Sequence, residues 1–256
     1  MNLYNESRPL RIFADGTEIA KENRIRVQGR SNMTLLPDFY LASIYNLSEE
    51  DITILNFAKK INITAEGNSL ICCGEIESVY AHEEGTNEIH DVSISDGMTF
   101  WNASVDTSVG KGSWVKDSVR MILSGVEFGS FLCDDVRMPR GQVFSGRLAD
   151  CVSTMARSLG ARAFITKGVL SFIASGRSVN TRTLREDDLI LNPKIINGGM
   201  IVKTKVGGYS VGEVIEYGNA KYRVVSQGIS LDNFSGDWNT EMILINEKTV
   251  GMEGGW

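Results

Sequence analysis

Four short runs of acidic residues are the first place to look for acid-base or metal chemistry in this sequence. They are Glu49-Glu50-Asp51, Glu83-Glu84, Asp134-Asp135 and Glu186-Asp187-Asp188. A catalytic carboxylate pair needs two side chains that converge on one substrate atom. All four runs stand in polar or turn contexts, and neighbouring residues on a strand point to opposite faces. We therefore expect solvated surface acids and no glycosidase or metal site.

The two histidines, His82 and His90, flank an acidic turn and could approach each other across a hairpin. Together with Glu83 or Asp91 they could hold a metal ion. Their spacing does not match a helical pair of histidines one turn apart. The sequence therefore predicts exposed hairpin histidines and no bound metal.

Serine and glycine motifs give little support for nucleophilic or phosphate chemistry. Ser145 and Ser175 both lack the preceding glycine of a Gly-x-Ser-x-Gly elbow. The segment 110–113 resembles the end of a phosphate loop, but the upstream glycine is missing at the required spacing. We expect no catalytic residue, no nucleotide and no cofactor.

The four cysteines do not form a metal or disulfide pattern. Cys72 and Cys73 are adjacent on a predicted strand, whereas Cys133 and Cys151 lie far along the chain. No Cys-x-x-Cys spacing occurs. We expect free, partly buried thiols, in a protein made in a reducing cytoplasm, in preference to disulfides or zinc.

Composition predicts a folded globular protein. The chain has 256 residues, 42% hydrophobic and 23% charged, with four prolines. This length suits two or three small domains or one large β-rich domain. The net charge is −6 and no basic stripe occurs, so the charge pattern does not indicate tight nucleic-acid binding. An acidic wall along a DNA conduit remains an alternative. The N-terminal residues and the absence of a run of about 18 apolar residues predict no secretory signal and no membrane span.

The first hundred residues predict a β-meander. Strand-like runs separated by turn residues occur at 10–14, 24–27, 39–45, 60–65, 69–80 and 88–95. One helix is expected to begin after Ser48, because Ser48-Glu49-Glu50-Asp51 has the spacing of a capping box and places carboxylates in the first turn. The strand spacing is that of a small barrel or sandwich, which we assign to residues 1–105.

Residues 106–180 predict a small α+β domain. A first helix is expected to begin at Ser113 and end by Gly125, and a second to begin at Ser145 and end at Gly160. The second helix carries its apolar residues on one face, at Leu148, Val152, Met155, Ala156 and Leu159. A β-hairpin follows, with its turn at Thr166-Lys167-Gly168.

The last third predicts a linker and a closing β-domain. The polar segment 178–188 is typical of a linker, and residues 181–246 contain short β-runs, with Gly218-Asn219 as an expected hairpin turn. Residues 247–256 are rich in glycine and predict a flexible tail. The fold class is therefore mainly β with an α+β insert.

The order of these parts resembles the tail hub family of contractile and long-tailed phages, prophages and tail-like particles. The resemblance covers about 10–246 and is carried by WVKDSVRMIL at 114–123, GRLADCVSTMARSLGARAFITKGVLSFIASG at 146–176, and VGEVIEYGNAKYRVVSQG at 211–228 with GDWNTEM at 236–242. It implies two tail-tube-like β-barrel domains that flank the helix-plus-hairpin domain. This chain is shorter than the larger hubs, with brief loops.

Membership of that family implies a structural role in a virion tail tip or baseplate. Three copies would form a ring that joins the hexameric tail tube to a spike or tip protein, contacts other baseplate proteins and leaves a lumen for DNA. No catalytic group is needed. Two other functions stay open, a carbohydrate-binding or host-adhesion module and a tail-associated hydrolase.

Aromatic residues near the end of the chain are the candidates for an oligomer or partner interface. Tyr222, Asp237 and Trp238 stand in the last β-domain, and aromatic anchors bury much area in protein interfaces. The other interpretation is that Tyr222 and Trp238 fill the core of their own domain. The tryptophans at 101, 114, 238 and 256 are too scattered to indicate one sugar-stacking platform.

Overall fold

The computed structural model describes residues 9–65, 69–123, 126–205, 208–234 and 237–250, with the side chains of 249 and 250 left out. The molecule is mainly β, as predicted. Expected features at Glu66 to Asn68, Gly125 and residues 251–256 lie outside the described residues. Residues 247–250 of the predicted tail form a short helix.

Eighteen strands and five α-helices occur in the described ranges. The strands are β1 Arg11–Ala14, β2 Thr17–Ile19, β3 Ile25–Asn32, β4 Asp38–Tyr45, β5 Lys60–Ala65, β6 Ser69–Glu84, β7 Asn87–Asp96, β8 Ser104–Val109, β9 Glu127–Leu132, β10 Gln142–Arg147, β11 Ala161–Thr166, β12 Val169–Ala174, β13 Thr181–Thr183, β14 Lys194–Ile196, β15 Gly199–Lys205, β16 Val214–Tyr217, β17 Ala220–Asp232 and β18 Trp238–Asn246. The helices are α1 Glu49–Phe57, α2 Met98–Asn102, α3 Val115–Ile122, α4 Leu148–Ser158 and α5 Glu247–Val250.

One sheet runs through both ends of the chain. Its strand order is β14-β15-β18-β17-β3-β4-β7-β6-β5-β1-β2, with β16 paired to β17 and β13 paired to β16. The β13–β16 pair is parallel and the other pairs of this sheet are antiparallel. Two small sheets, β8-β10 and β9-β12-β11, belong to the middle of the chain.

Strand β17 joins the two parts of the large sheet. Its first residues pair with β16, residues Ser226 to Asp232 pair with β3, and β18 occupies the other edge. The register against β18 shifts between Val224 and Ser226. Such a bulge bends and twists a strand, so one strand can serve two sheet regions.

The predicted pair of closed barrels is not confirmed. Strand β17 pairs with strands of both regions, so the N-terminal and C-terminal strands continue into one sheet. In the described part of the chain no strand pairing joins the terminal strands β2 and β14.

The N-terminal meander has its own core, as its alternating apolar pattern predicts. On β3 and β4 the inward residues Ile25, Val27, Tyr40, Ala42 and Ile44 are buried among those of neighbouring strands. The predicted helix is α1. It begins after Ser48, whose side chain accepts a hydrogen bond from Asp51 N at 3.1 Å.

The middle of the chain packs α3 and α4 on the small sheets around a second core. The predicted apolar face of α4 is buried at Leu148, Val152, Met155 and Ala156, and Gly160 follows the helix with φ of +60°. The predicted helix starts are wrong. Ser145 belongs to β10, where it pairs with Asp106, so α4 begins only at Leu148.

The start of α3 is also one residue later than predicted, since Trp114 and not Ser113 is its N-cap. The Trp114 backbone takes part in a β-bridge with Arg137, which keeps it extended. The expected hairpin is formed by β11 and β12, with Lys167-Gly168 as its two-residue turn.

The C-terminal part has a third core around Leu184, Met200, Ile215, Val224 and Leu244. The segment 178–188 is not a linker. It contributes β13 to the sheet through parallel pairing with the partly buried strand β16, and it buries Leu184. Gly218-Asn219 forms the predicted turn between β16 and β17, with Gly218 at φ +60°.

Candidate functional site

The acidic runs lie on the surface, as predicted. Glu49, Glu50, Glu83, Glu84, Asp134, Asp135, Glu186 and Asp187 are all exposed. Among the described residues no group of three or more His, Cys, Asp and Glu side chains could hold a metal ion.

The two histidines differ from the prediction in one respect. His82 is opposite Ile89 and His90 is opposite Ala81 on the β6–β7 hairpin, so the histidines point to opposite faces of the sheet. His90 is buried and not exposed, because its side chain joins the inner face of the strand next to Val92. His82 Nδ1 lies 3.8 Å from Asp91 Oδ2, and His90 Nε2 lies 3.7 Å from Glu88 Oε1. They cannot share one metal ion.

The three predicted interface residues are not brought together. Tyr222 pairs with Asn246 at one end of the β17–β18 ladder, whereas Trp238 pairs with Leu231 at the other end. Nine residues of strand separate those positions, roughly 30 Å. Tyr222 packs against the C-terminal core and Trp238 against the N-terminal core, whereas Asp237 is exposed. Their role in a subunit contact stays a prediction.

Trp101 and Trp114 are each covered by an arginine. The guanidinium of Arg147 lies 4.6 Å from the Trp101 ring centre, and that of Arg137 lies 4.7 Å from the Trp114 ring centre. These ring faces hold a cation already. A sugar ring could stack on that face only by displacing the guanidinium.

An uncovered apolar surface lies on the outer face of β4. Phe39 is 56% exposed and Leu41 is 40% exposed, while the alternate residues of the same strand face the N-terminal core. Leu36, in the preceding turn, is 55% exposed. We call these three residues the outer β4 patch. Residues Phe39 to Tyr45 are mostly apolar on both faces of the strand. Such a run is typical of a strand that is covered on both sides.

Among the described residues, no strand pairs with the second half of β6 on the edge away from β7. β5 pairs with β6 only as far as Glu75, and Ile76 N–H donates to Lys59 O, whereas β7 continues alongside β6 to Glu84. The turn Gly85-Thr86 has two residues, so Glu84 and Asn87 form a hydrogen-bonded pair. By alternation, the peptide groups of Val79, Ala81 and Glu83 point away from β7. This open β6 edge can accept another strand.

A buried polar contact ties the three parts of the chain together. Asp96, at the end of β7, accepts a hydrogen bond from Lys167 N and one of 2.8 Å from Gly168 N, both in the β11–β12 turn. The Lys167 amine lies 3.3 Å from Ser210 Oγ in the C-terminal part. Burial lowers the pKa of Lys167 despite the neighbouring Glu213 carboxylate. No local sequence pattern predicts this contact, because its members are far apart in the chain.

Comparisons with solved structures find the same fold in tail proteins. A tail protein from Neisseria meningitidis MC58 matches with a TM-score of 0.66 at 10% identity, over 96% of this chain and 98% of that chain. A 43 kDa tail protein of prophage MuSo2 from Shewanella oneidensis matches with a TM-score of 0.70 at 8% identity, over 94% and 99%. No protein-family model and no curated protein matches the sequence.

Secretion machinery contains the fold as well. The E. coli c3393 protein, described as a type VI secretion component similar in structure to T4 tail proteins, matches with a TM-score of 0.60 at 11% identity, over 94% of this chain and 75% of that chain. The predicted resemblance to phage tail hub proteins is thus confirmed at the level of the fold. No helix in the described residues is long and apolar enough to cross a membrane.

Proposed function

We propose that this protein is a non-enzymatic structural subunit of a tail hub in a phage, a prophage or a tail-like particle. The observation that carries the proposal is the match of nearly the whole chain to tail proteins from two bacteria, over 96% and 94% of its residues. A match that spans all three parts of the chain supports a common architecture more strongly than a shared single domain does. Fold by itself does not fix function, so the proposal needs a direct test.

In this proposal, residues 1–105 and 181–246 act as two tube-like barrel domains around the insert of residues 106–180. Three copies form a ring with six such domains, which matches a hexameric tail tube on one side and a spike or tip protein on the other. The ring leaves a passage for DNA without specific DNA binding, consistent with the net charge of −6. Subunits are made in the host cytoplasm and end in the virion tail tip or baseplate.

The open β6 edge is the proposed contact between copies. A strand with unpaired peptide groups is a template for a second chain, and in a closed ring every copy presents this edge to a different surface of its neighbour. The outer β4 patch is the proposed contact with the tube or other baseplate proteins, because exposed apolar side chains beside one another favour a protein partner. A solved PdpA–VgrG complex from Francisella contains the same fold, with a TM-score of 0.54 at 7% identity, over 97% of this chain and 59% of that chain.

The first test is the mass of the purified protein by light scattering, alone and mixed with the tube protein encoded beside it. The chain has a mass of 28.2 kDa, so a trimer gives about 85 kDa, three times that value. A trimer alone, or three copies bound to a tube ring, is the expected result. A monomer that also ignores the tube protein contradicts the hub proposal.

A matched pair of variants tests the edge. Ala81→Pro removes an N–H group that points to the open β6 edge, and proline is tolerated on edge strands. We expect this variant to stay folded and to lose the trimer. The control is Glu83→Gln, which changes a side chain on the same strand and keeps every backbone N–H group. A trimer that survives Ala81→Pro places the subunit contact elsewhere.

A further inference from the structure

Among the described residues, no strand pairs with β10 on the edge away from β8. Leu148, which follows β10 directly, donates its N–H to Ala103 O at 2.9 Å, and this bond continues the register of the β8–β10 ladder. By alternation, the peptide groups of Val143 and Ser145 point away from β8. We call this side of the strand the open β10 edge. Like the open β6 edge, it can accept another strand.

Most side chains of β10 lie at the surface. Phe144 is buried in the core of the insert, whereas the other five residues of the strand are exposed. Val143 is 70% exposed, although valine favours strands that are at least half covered. The open β6 edge has the same character, since Ala81 is exposed and Tyr80 is 67% exposed. Exposed edge strands with apolar side chains are sites of pairing with another chain.

The two open edges carry opposite charge. The segment 75–88, which contains the open β6 edge, has five glutamates and no lysine or arginine. The segment 136–149, which contains β10, has three arginines and no aspartate or glutamate. Two of these arginines, Arg137 and Arg147, lie over uncharged tryptophan rings, so their positive charge is retained. Asp106, opposite Ser145 on β8, offsets only part of the charge of three arginines.

On both edges the charges flank an uncharged centre. Glu77 and Glu83 lie on either side of residues 78–82, and Arg140 and Arg147 lie on either side of residues 141–146. The separations are six and seven positions, which correspond to about 20 and 23 Å in extended chain. The two patterns therefore match whether the strands run parallel or antiparallel.

We propose that the open β6 edge of one copy pairs with the open β10 edge of the next copy. The inference rests on the proposed ring of copies and names the surface of the neighbour that receives the β6 edge. Because the two edges belong to different parts of the chain, each copy gives one edge and receives the other. Contacts of this head-to-tail kind can close into a ring. Backbone hydrogen bonds join the strands, and opposite charges select the partner edge.

Charge reversal on each edge tests the pairing. Glu83→Arg with Glu84→Arg reverses the β6 edge, and Arg140→Glu with Arg147→Glu reverses the β10 edge, all at exposed residues. Either pair of changes alone places like charges across the contact. We expect the concentration at which half of the trimer dissociates to rise at least about tenfold in light scattering. All four changes together restore opposite charges and should restore the trimer.

The control for this rescue is Glu186→Arg with Asp187→Arg, at exposed residues outside both edges. These changes alter the charge of the chain by the same amount as the β6 variant. Combined with the β10 variant they restore the net charge of −6, and we expect them to leave the trimer weakened. Recovery in this control as well would mean that net charge alone decides assembly, which overturns the inference.

Ser145→Pro tests the backbone pairing on β10. It removes an N–H group that points away from β8, and proline is tolerated on edge strands. We expect this variant to lose the trimer, as Ala81→Pro does, whereas Ser145→Ala keeps the N–H group and the trimer. Thermal unfolding confirms that each variant is folded. A folded Ser145→Pro variant that keeps the trimer overturns strand pairing at this edge.

The outcomes separate this inference from the proposed function. A parent protein that stays monomeric with and without the tube protein contradicts the hub proposal, and the inference with it. A parent trimer that neither charge variant weakens agrees with the ring and overturns only the pairing with β10. If copies associate only on the tube protein, the same variants are compared by the number of copies bound to each tube ring.

Discussion

Asp96 and Lys167 lie 71 positions apart in the chain, yet the Asp96 carboxylate accepts a hydrogen bond from the Lys167 peptide nitrogen. The same carboxylate accepts a second bond from Gly168. Lys167 and Gly168 both have positive φ, +54° and +75°, and this turn presents two adjacent N–H groups to one anion. One side chain thereby fixes the insert hairpin to the N-terminal sheet.

Removal of this carboxylate should loosen the junction. Asp96→Ala leaves the N–H groups of Lys167 and Gly168 without this acceptor, and we expect the free energy of unfolding to fall by about 1 to 3 kcal/mol. Urea unfolding followed by tryptophan fluorescence measures the change. Asp106→Ala, at an exposed residue of β8, is the control and should stay within about 0.5 kcal/mol of the parent protein. A loss no larger than that of the control would show that the contact contributes little.

Asp38 makes stability depend on pH. It lies opposite Asp96 on the neighbouring strand. Burial, with a smaller contribution from the Asp96 carboxylate, raises the pKa of Asp38 from 3.8 to about 7. Hydrogen bonds from the backbone N–H and the side-chain amide of Asn32 act in the opposite direction. Between about pH 4 and 7 the folded chain keeps a proton that the unfolded chain releases. The free energy of unfolding therefore falls as pH rises through this window, by up to about 4 kcal/mol.

Asp38→Asn should make that pH dependence shallower, because asparagine does not titrate. Urea unfolding at several pH values between 4 and 8 measures the slope. Burial also raises the pKa of Asp96, so part of the slope should remain in the variant. An unchanged slope would mean that Asp38 titrates normally in the folded protein. Asp134→Asn, at an exposed acid, provides the control.

The four cysteines should be slow to react in the folded protein. All are free, as predicted, and burial raises the pKa of each thiol, to about 12 for Cys73 and about 11 for Cys133. Thiolates are the reactive form, so the fraction available at pH 8 is small. A disulfide reagent should label four thiols per chain rapidly in denaturant and slowly without it. Fast native labelling would indicate that the segments that cover these cysteines open readily.

Position 29 requires a glycine, because the ring of Tyr40 occupies the space that a Cβ atom would need. The two residues are opposite each other on β3 and β4, and a Cβ atom on residue 29 would lie 2.1 Å from Tyr40 Cδ1 and 2.8 Å from Phe39 O. Tyr40 is fixed by its hydroxyl, 2.6 Å from Ser31 Oγ. We expect Gly29→Ala to lower the free energy of unfolding by about 1 to 3 kcal/mol. Thermal unfolding of both variants measures the change. The control is Gly110→Ala, whose Cβ atom would meet no atom within 4 Å, and its stability should stay close to that of the parent protein.

Local patterns determined most of the strands and the helix-plus-hairpin insert. The Ser48 cap, the apolar face of α4 and the turns at Gly218 and Gly168 depend on residues within a few positions of each other, so the sequence predicts them. The helix starts at Ser113 and Ser145 were wrong, because strand pairing with residues 137 and 106 overrides local capping preference.

Only the tertiary structure decided how the two β-regions meet. Strand β17 pairs with β16 through its first residues and with β3 through its last, at a sequence separation of nearly two hundred positions for Ser226 and Asn32. No periodicity in the chain specifies which distant edge a strand chooses. The buried Asp96 contact likewise joins segments that lie far apart in the chain, so only the completed fold brings its members together.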